Sequence, residues 1–138
     1  MSRPLTILHI DDDPDARLLL RELLLAEGPS DDRQDIRWLE ASSVEEAVAR
    51  YRDLQPDSIL LDHLLGRESG VELVPGIQRV WKCPVWLLTG FSLEALRGRP
   101  KQYGAAGVIP KDELLNQGSQ LRAFLLRTCT SSAESPKK

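Results

Sequence analysis

Short apolar runs alternate along the chain with longer segments of helical periodicity. This alternation is typical of βαβ units wound around a parallel sheet. The expected fold is therefore α/β: a doubly wound, five-stranded parallel sheet with helices on both faces, and with its second strand near an edge. The strands are predicted at residues 5–10, 36–40, 58–62, 85–89 and 108–110.

Local signals mark where the helices begin. Asp13 followed by Pro14 predicts a capped first helix, and Ser43 with Glu46 has the spacing of a capping box that opens the second. Pro75 lies inside the third predicted helix and should bend or shorten its first turns, because it lacks an amide donor. Helices are expected at residues 14–26, 44–54, 71–82, 92–97 and 112–127, the fourth of them stunted.

Four of the predicted strands end in side chains that can do chemistry. Parallel strands present their carboxyl ends at one edge of a sheet, where open α/β folds place their ligands. If the first strand is central, with the third beside it and the fourth beyond, all four ends face one crevice. The side chains are the acid pair Asp11 and Asp12, the acid Asp62, the hydroxyl of Thr89 and the amine of Lys111.

The acids of this crevice predict a magnesium site. Carboxylates held close together repel one another unless a cation intervenes, and Mg²⁺ prefers oxygen ligands while keeping several waters. The metal is assigned to Asp12, Asp62 and the backbone carbonyl of Leu64. Asp11 is expected to act through water, and Asp13 to serve as the helix cap.

Asp62 is the predicted phosphoacceptor. A carboxylate nucleophile gives an aspartyl phosphate, and Mg²⁺ together with Lys111 would neutralise charge on the in-line transition state. Thr89 would donate a hydrogen bond to a phosphoryl oxygen. Taken singly, Thr89 is more often a cap and Lys111 more often a surface lysine. His9 and His63 are expected to be structural, with His9 packed beneath the site.

Composition narrows the setting of this site. With 138 residues, 41% of them hydrophobic, and a net charge of −3, the chain suits one domain and offers no basic face for nucleic acid. No apolar stretch approaches the roughly 20 residues of a membrane span, and Cys83 and Cys129 have no metal or redox spacing. We therefore expect a cytoplasmic domain at residues 1–127, binding neither nucleic acid nor membrane, and a disordered tail at 128–138.

Together these residues resemble the receiver domain of bacterial two-component response regulators. The acid pair after the first strand, the acid that closes the third, and the threonine and lysine that close the next two are similar to that family's motifs in the same order. The likeness covers about residues 4 to 127. It is carried by residues 7–14, 60–66 with Gly70, 84–90 and 107–111.

The resemblance implies a flavodoxin-like receiver fold and a function in phosphorelay signalling. Such a domain takes a phosphoryl group from a sensor histidine kinase or a histidine phosphotransfer protein, with Mg²⁺ as cofactor, and then switches partner binding. It is not an enzyme beyond self-catalysed phosphorylation and dephosphorylation. Because about 11 residues follow the last predicted helix, far fewer than the roughly 50 of a further domain, we expect a stand-alone receiver.

Among the departures from the family's pattern, two bear on how a signal would leave the domain. The aromatic switch residue that usually lies three places before the lysine is Val108, so either Tyr103 or Phe91 substitutes for it, or the signal leaves by another face. The interrupted helix at 92–97 puts the family's usual dimer surface in doubt. The last helix carries an apolar run at residues 124–126, for which a homodimer contact and extra core burial are equally good explanations.

Other function classes stay open. A haloacid dehalogenase-like phosphatase also uses a strand-end Asp, but His63 and Leu64 leave no general acid two places after Asp62. A phosphorylation-independent adaptor or a phosphate sink would keep the same fold. The intact acid, threonine and lysine set argues against the adaptor, while Val108 and the interrupted helix keep it open.

Overall fold

The computed structural model describes residues 4–26, 36–65, 68–90, 104–117 and 120–134, with only the backbone described at 64, 65, 68, 71 and 130–134. Seven strands and five helices lie in these ranges. In chain order they are β1 (Leu5–Ile10), α1 (Pro14–Ala26), β2 (Ile36–Ala41), α2 (Val44–Tyr51), β3 (Ser58–Asp62), β4 (Leu64–Leu65), β5 (Glu68–Ser69), α3 (Gly70–Val80), β6 (Val85–Thr89), β7 (Gly107–Pro110), α4 (Lys111–Leu115) and α5 (Leu121–Glu134).

The main sheet has five parallel strands in the order β2-β1-β3-β6-β7. This confirms the predicted doubly wound α/β class and the edge position of β2. The central strand is β3 rather than β1, but the predicted neighbours are correct, since β3 lies between β1 and β6. The winding reverses between β1 and β3, so the crevice expected at a switch point opens beside the end of β3.

Two hydrophobic clusters cover the two faces of the sheet, because successive residues of a buried strand point to opposite sides. On one face α2 and α3 pack over Leu8, Ile59 and Leu61, with Trp81 fully buried. On the other face α1, α4 and α5 pack over Ile7, Leu60, Leu88 and Ile109. Each fully buried Leu or Ile contributes about 1.5–3 kcal/mol from burial, so the core holds all four strand ends of the site in register.

The C-terminal helical region differs from its prediction in two ways. The single helix expected at 112–127 is two helices, since α4 ends at Leu115 and Asn116 caps it. The disordered tail expected at 128–138 is wrong for residues 128–134, because α5 runs on to Glu134. Thr128 is buried there, and its carbonyl accepts a hydrogen bond from Trp86 Nε1 at 3.2 Å, so the added turn packs against β6. Residues 135–138 lie outside the described ranges.

The run at residues 124–126 has core contacts in this structure. Leu125 is 1% exposed within the cluster on the α1 face, and Phe124 packs against the same cluster. Core burial therefore accounts for these two side chains, and the homodimer contact stays a prediction.

Two smaller features complete the fold. Pro75 lies within α3, which starts at Gly70 and is not shortened by it. A two-stranded antiparallel hairpin, β4–β5, which was not predicted, pairs Leu64 with Ser69 directly after β3. The helix predicted at 92–97 and the aromatic candidates Phe91 and Tyr103 lie outside the described residues. Among the helices in the described ranges, none has the length and apolarity to cross a membrane.

Candidate functional site

The bend that follows β1 is fixed by side chain to backbone hydrogen bonds. Asp11 is fully buried, and its amide donates to the Ala41 carbonyl of β2 at 3.0 Å. Its Oδ1 accepts the Asp13 N–H at 3.0 Å, and Asp13 Oδ1 in turn accepts the Asp15 N–H at 3.0 Å. Asp13 is thus confirmed as the cap of α1. The chain turns sharply enough here to leave consecutive acids at the sheet edge.

Asp62 closes β3 beside this bend. It is 8% exposed, and one carboxylate oxygen from each of Asp11, Asp12 and Asp62 lies within 4.8 Å of the others. Asp12 is the exposed member, so the group opens to solvent on its side. The predicted convergence of the strand-end acids is confirmed. An all-oxygen set of this kind suits a hard divalent cation such as Mg²⁺.

Lys111 supplies the positive charge at the other side of the crevice. It follows β7 directly as the first residue of α4. Its Nζ lies 3.1 Å from Asp62 Oδ1 and 3.6 Å from Asp11 Oδ2, and about a third of its side chain is exposed. Lys111 therefore lies in the expected crevice beside Asp62, and its role in phosphoryl transfer stays a prediction.

The site favours the charged forms of Asp11 and Lys111 and disfavours the charged form of Asp62. Burial and the charge of Asp11 raise the pKa of Asp62, and Lys111 only partly opposes them. Burial also acts to raise the pKa of Asp11, but the contact with His9, the Asp13 amide and the charge of Lys111 outweigh it and lower the pKa overall. Burial acts to lower the pKa of Lys111, but Asp62 and Asp11 outweigh it and raise it. Asp62 is thus the acid of the cluster whose ionised form is disfavoured by its surroundings.

Thr89 and Leu64 are placed beside this cluster by their strands. Thr89 ends β6 at 1% exposure and is paired in register with Pro110, the residue before Lys111. Leu64 begins β4 two residues after Asp62. Its backbone carbonyl as a metal ligand, and the hydrogen bond from Thr89 to a phosphoryl group, stay predictions.

Gly70 has a physical reason to be glycine that the sequence did not supply. A Cβ on residue 70 would overlap the backbone carbonyl oxygen of Asp62 and would lie 3.2 Å from His63 Cα. Its N–H donates to the His63 carbonyl at 2.6 Å. The start of α3 therefore packs directly on the backbone that carries the predicted phosphoacceptor, and any side chain would push the two apart.

His9 lies beneath the acids, as predicted. It is fully buried, with Nε2 3.6 Å from Asp11 Oδ2 and its ring centroid 5.5 Å from that of Trp38. His63 is partly buried at the end of β3. Val108 is partly buried and packs against the cluster on the α2–α3 face, so the usual aromatic position is filled by a small core side chain.

A doubly wound sheet that gathers three acids and a lysine at the carboxyl ends of its strands is the architecture of a response regulator receiver. The family model of the response regulator receiver domain matches residues 7–121. The chain belongs to this family.

Two curated relatives are 31% identical to the chain over the aligned positions. The phosphate regulon transcriptional regulatory protein PhoB of Pseudomonas aeruginosa is 31% identical over an alignment of 138 positions that covers 95% of this chain and 56% of that protein. The transcriptional regulatory protein CpxR of Klebsiella pneumoniae is 31% identical over an alignment of 126 positions that covers 88% of this chain and 50% of that protein. The chain thus spans about half the length of these relatives.

Solved structures share the fold. The chemotaxis protein CheY4 of Vibrio cholerae has a TM-score of 0.70 at 22% identity, covering 91% of this chain and 99% of that one. A two-component response regulator of Clostridium difficile has a TM-score of 0.69 at 21% identity, covering 95% and 99%. A response regulator of Burkholderia pseudomallei with a phosphorylated aspartic acid and a calcium ion has a TM-score of 0.63 at 22% identity, covering 96% and 75%.

Proposed function

We propose that Asp62 accepts a phosphoryl group from a sensor histidine kinase or a histidine phosphotransfer protein, and that this switches partner binding in two-component signalling. The observation that carries the proposal is the position of Asp62. Its carboxylate lies among oxygens of two other acids within 4.8 Å and has Lys111 Nζ 3.1 Å from Oδ1. The family membership and the Burkholderia neighbour with its phosphorylated aspartic acid support the same assignment.

In this proposal each residue has a separate task. An oxygen of Asp62 attacks phosphorus, the new P–O bond forms, and the bond to the donor breaks with its electron pair leaving on the donor. Lys111 neutralises charge on the transferring group, and Thr89 donates its hydroxyl to a phosphoryl oxygen. Asp12, Asp62 and the carbonyl of Leu64 would hold Mg²⁺, with Asp11 acting through water. The bound ion would supply further charge neutralisation at the phosphoryl oxygens.

The proposal makes the domain a phosphoacceptor rather than an enzyme with an external substrate. A stand-alone form and a cytoplasmic location stay predictions. The adaptor alternative rests on one observation, the aliphatic Val108 at the usual switch position. An adaptor would bind its partner without any change at Asp62, so the same experiment separates the two functions.

The test is the intact mass of the protein after incubation with acetyl phosphate and Mg²⁺. Wild type and Asp15→Asn, which removes an exposed acid of α1 outside the cluster, should each gain one phosphoryl group. Asp62→Asn should gain none. An equal gain in Asp62→Asn would contradict the assignment. No gain in wild type, together with partner binding that persists in Asp62→Asn, would favour the adaptor.

A further inference from the structure

Arg17 joins the metal-binding acids to a neighbouring strand. Its side chain extends from the first turns of α1 and is 21% exposed. Its Nη1 donates to the backbone carbonyl of Asp11 at 2.5 Å, and its Nε lies 3.7 Å from Glu40 Oε1 on β2. One guanidinium therefore contacts both the backbone between the acids and a carboxylate on the next strand.

Glu40 is itself held in place. Its Oε2 accepts hydrogen bonds from Trp38 Nε1 and from Arg21 Nη1, each at 2.9 Å. Its side chain is 16% exposed. Partial burial and the bond from Trp38, on the same strand, limit the freedom of Glu40, so Glu40 can fix the direction of the Arg17 guanidinium without the exposed Arg21.

The atom that Arg17 binds is the important detail. The carbonyl oxygen of Asp11 belongs to the peptide group that joins Asp11 to Asp12. Because a peptide group is planar, holding this oxygen sets the direction in which the Asp12 backbone leaves Asp11. The Asp11 amide and Oδ1 are already bound by Ala41 and Asp13. The Arg17 bond thus restrains the link between the two acids.

We propose that Arg17 is a positioning residue that aims the carboxylates of Asp11 and Asp12 at Asp62, with Glu40 as its anchor. The inference rests on the proposed metal site but adds a residue to it. Groups that orient metal ligands without touching the metal typically change metal affinity by about 10–100-fold.

Charge alone predicts the opposite sign. The positive charge of Arg17 repels a metal ion bound nearby. If charge alone mattered, removing Arg17 would therefore tighten metal binding. Removing Arg21, which is 45% exposed, changes the local charge by the same amount, while Trp38 still donates to Glu40 Oε2. A weakening in Arg17→Met with none in Arg21→Met would therefore separate positioning from charge.

The experiment measures Mn²⁺ binding by the electron paramagnetic resonance signal of the free ion, since Mn²⁺ also prefers carboxylate oxygen. Wild type, Arg17→Met and Arg21→Met are compared. We expect the dissociation constant of Arg17→Met to rise by about 10-fold and that of Arg21→Met to stay the same or fall slightly. If wild type binds Mn²⁺ and the dissociation constant of Arg17→Met is unchanged or lower, the inference about Arg17 is overturned, while the proposed metal site stands. Absence of wild-type binding would overturn the proposed metal site with it.

A second readout needs no metal. The Asp13 amide, bonded to Asp11 Oδ1, should exchange its hydrogen faster in Arg17→Met and at the wild-type rate in Arg21→Met. Equal rates in all three proteins would contradict positioning. If Arg17→Met does not fold, Arg17→Lys replaces it. Lys keeps the charge but cannot span the carbonyl and Glu40 together, so its metal affinity should also fall, and wild-type affinity would overturn the inference.

Discussion

The acid end and the lysine end of the site are held in different ways. At the acid end the Asp11 carboxylate, carbonyl and amide each contact a separate part of the protein: Asp13, Arg17 and Ala41. At the lysine end, Lys111 starts a helix of five residues whose N-terminus has no side-chain cap. The contacts of its Nζ are the carboxylates of Asp62 and Asp11.

This difference indicates how the site is assembled. Asp11 is held by hydrogen bonds with backbone groups and with Arg17, which do not depend on Lys111. Lys111 is fixed by charge, and about a third of its side chain is in solvent. Loss of the lysine should therefore leave the acid geometry and metal binding in place while removing charge neutralisation.

The largest expected effect in this comparison of the two ends of the site is that of Lys111→Met. We expect phosphorylation by acetyl phosphate to slow by about 10²-fold, as when one charge-stabilising donor is removed, while Mn²⁺ binding persists or tightens. The rate is followed by intact mass and compared with that of Lys82→Met, which replaces an exposed lysine two residues after the end of α3. Loss of Mn²⁺ binding in Lys111→Met would show that the acid end does depend on the lysine.

Two glycines of α3 test how closely the backbone at Asp62 is packed. Gly70→Ala should lower the free energy of unfolding by about 1–3 kcal/mol, because its Cβ would overlap backbone atoms. The added Cβ of Gly76→Ala would have no atom within 4 Å. This substitution should raise the free energy of unfolding by about 0.5–1 kcal/mol through helix propensity. Urea unfolding measures both. A harmless Gly70→Ala would mean that the close approach is not needed.

Asp62→Asn should raise the melting temperature of the metal-free protein at neutral pH. Burial and Asp11 raise the folded-state pKa of Asp62 above its unfolded value of 3.8, so its ionised form costs stability at pH values above that folded pKa. As pH falls through the raised pKa the cost disappears, and the two melting curves should converge. Thermal unfolding in chelator at neutral and acidic pH makes the comparison. A lower melting temperature for Asp62→Asn at neutral pH would contradict it.

The hydrogen bonds at the start of α2 offer a comparison with those of Asp11, because a carboxylate there also binds the backbone but outside the predicted metal site. The expected effect is smaller. Glu46 accepts from Ser42 N at 2.6 Å and Ser42 Oγ at 2.7 Å, and these bonds lower its pKa. Glu46→Gln should cost about 0.5 kcal/mol at pH 7, since the group is partly exposed. Because the folded pKa is depressed, this cost should vanish as pH falls below it. Urea midpoints across pH are the measurement, and a constant gap would argue against the ionised form.

The sequence predicted the strands, their neighbours and the strand-end side chains, because short apolar runs and the polar residues that end them are local patterns. It missed the break between α4 and α5, although Asn116-Gln117-Gly118 is a stop signal that the apolar spacing on either side concealed. Within the extra length of α5, the Thr128 carbonyl accepts a hydrogen bond from Trp86 Nε1, a contact between distant parts of the chain that local patterns do not report.

The supports of the site were less predictable than the site itself. Nothing in the local sequence joins Arg17 to Glu40, because the contact depends on how α1 lies against β2. Gly70 was part of a resemblance, but its reason is the distance from the Asp62 carbonyl, which exists only in the folded chain. Local patterns thus reported which groups do the chemistry, and tertiary packing determined what holds them.

The most direct test of the account is to locate the phosphoryl group. Borohydride reduces an acyl phosphate to the alcohol, so phosphorylated protein would carry homoserine at the acceptor, and tandem mass spectrometry of its peptides identifies the position. The account predicts conversion at Asp62 alone. Conversion at Asp11, at Asp12 or at another acid, with Asp62 intact, would contradict it.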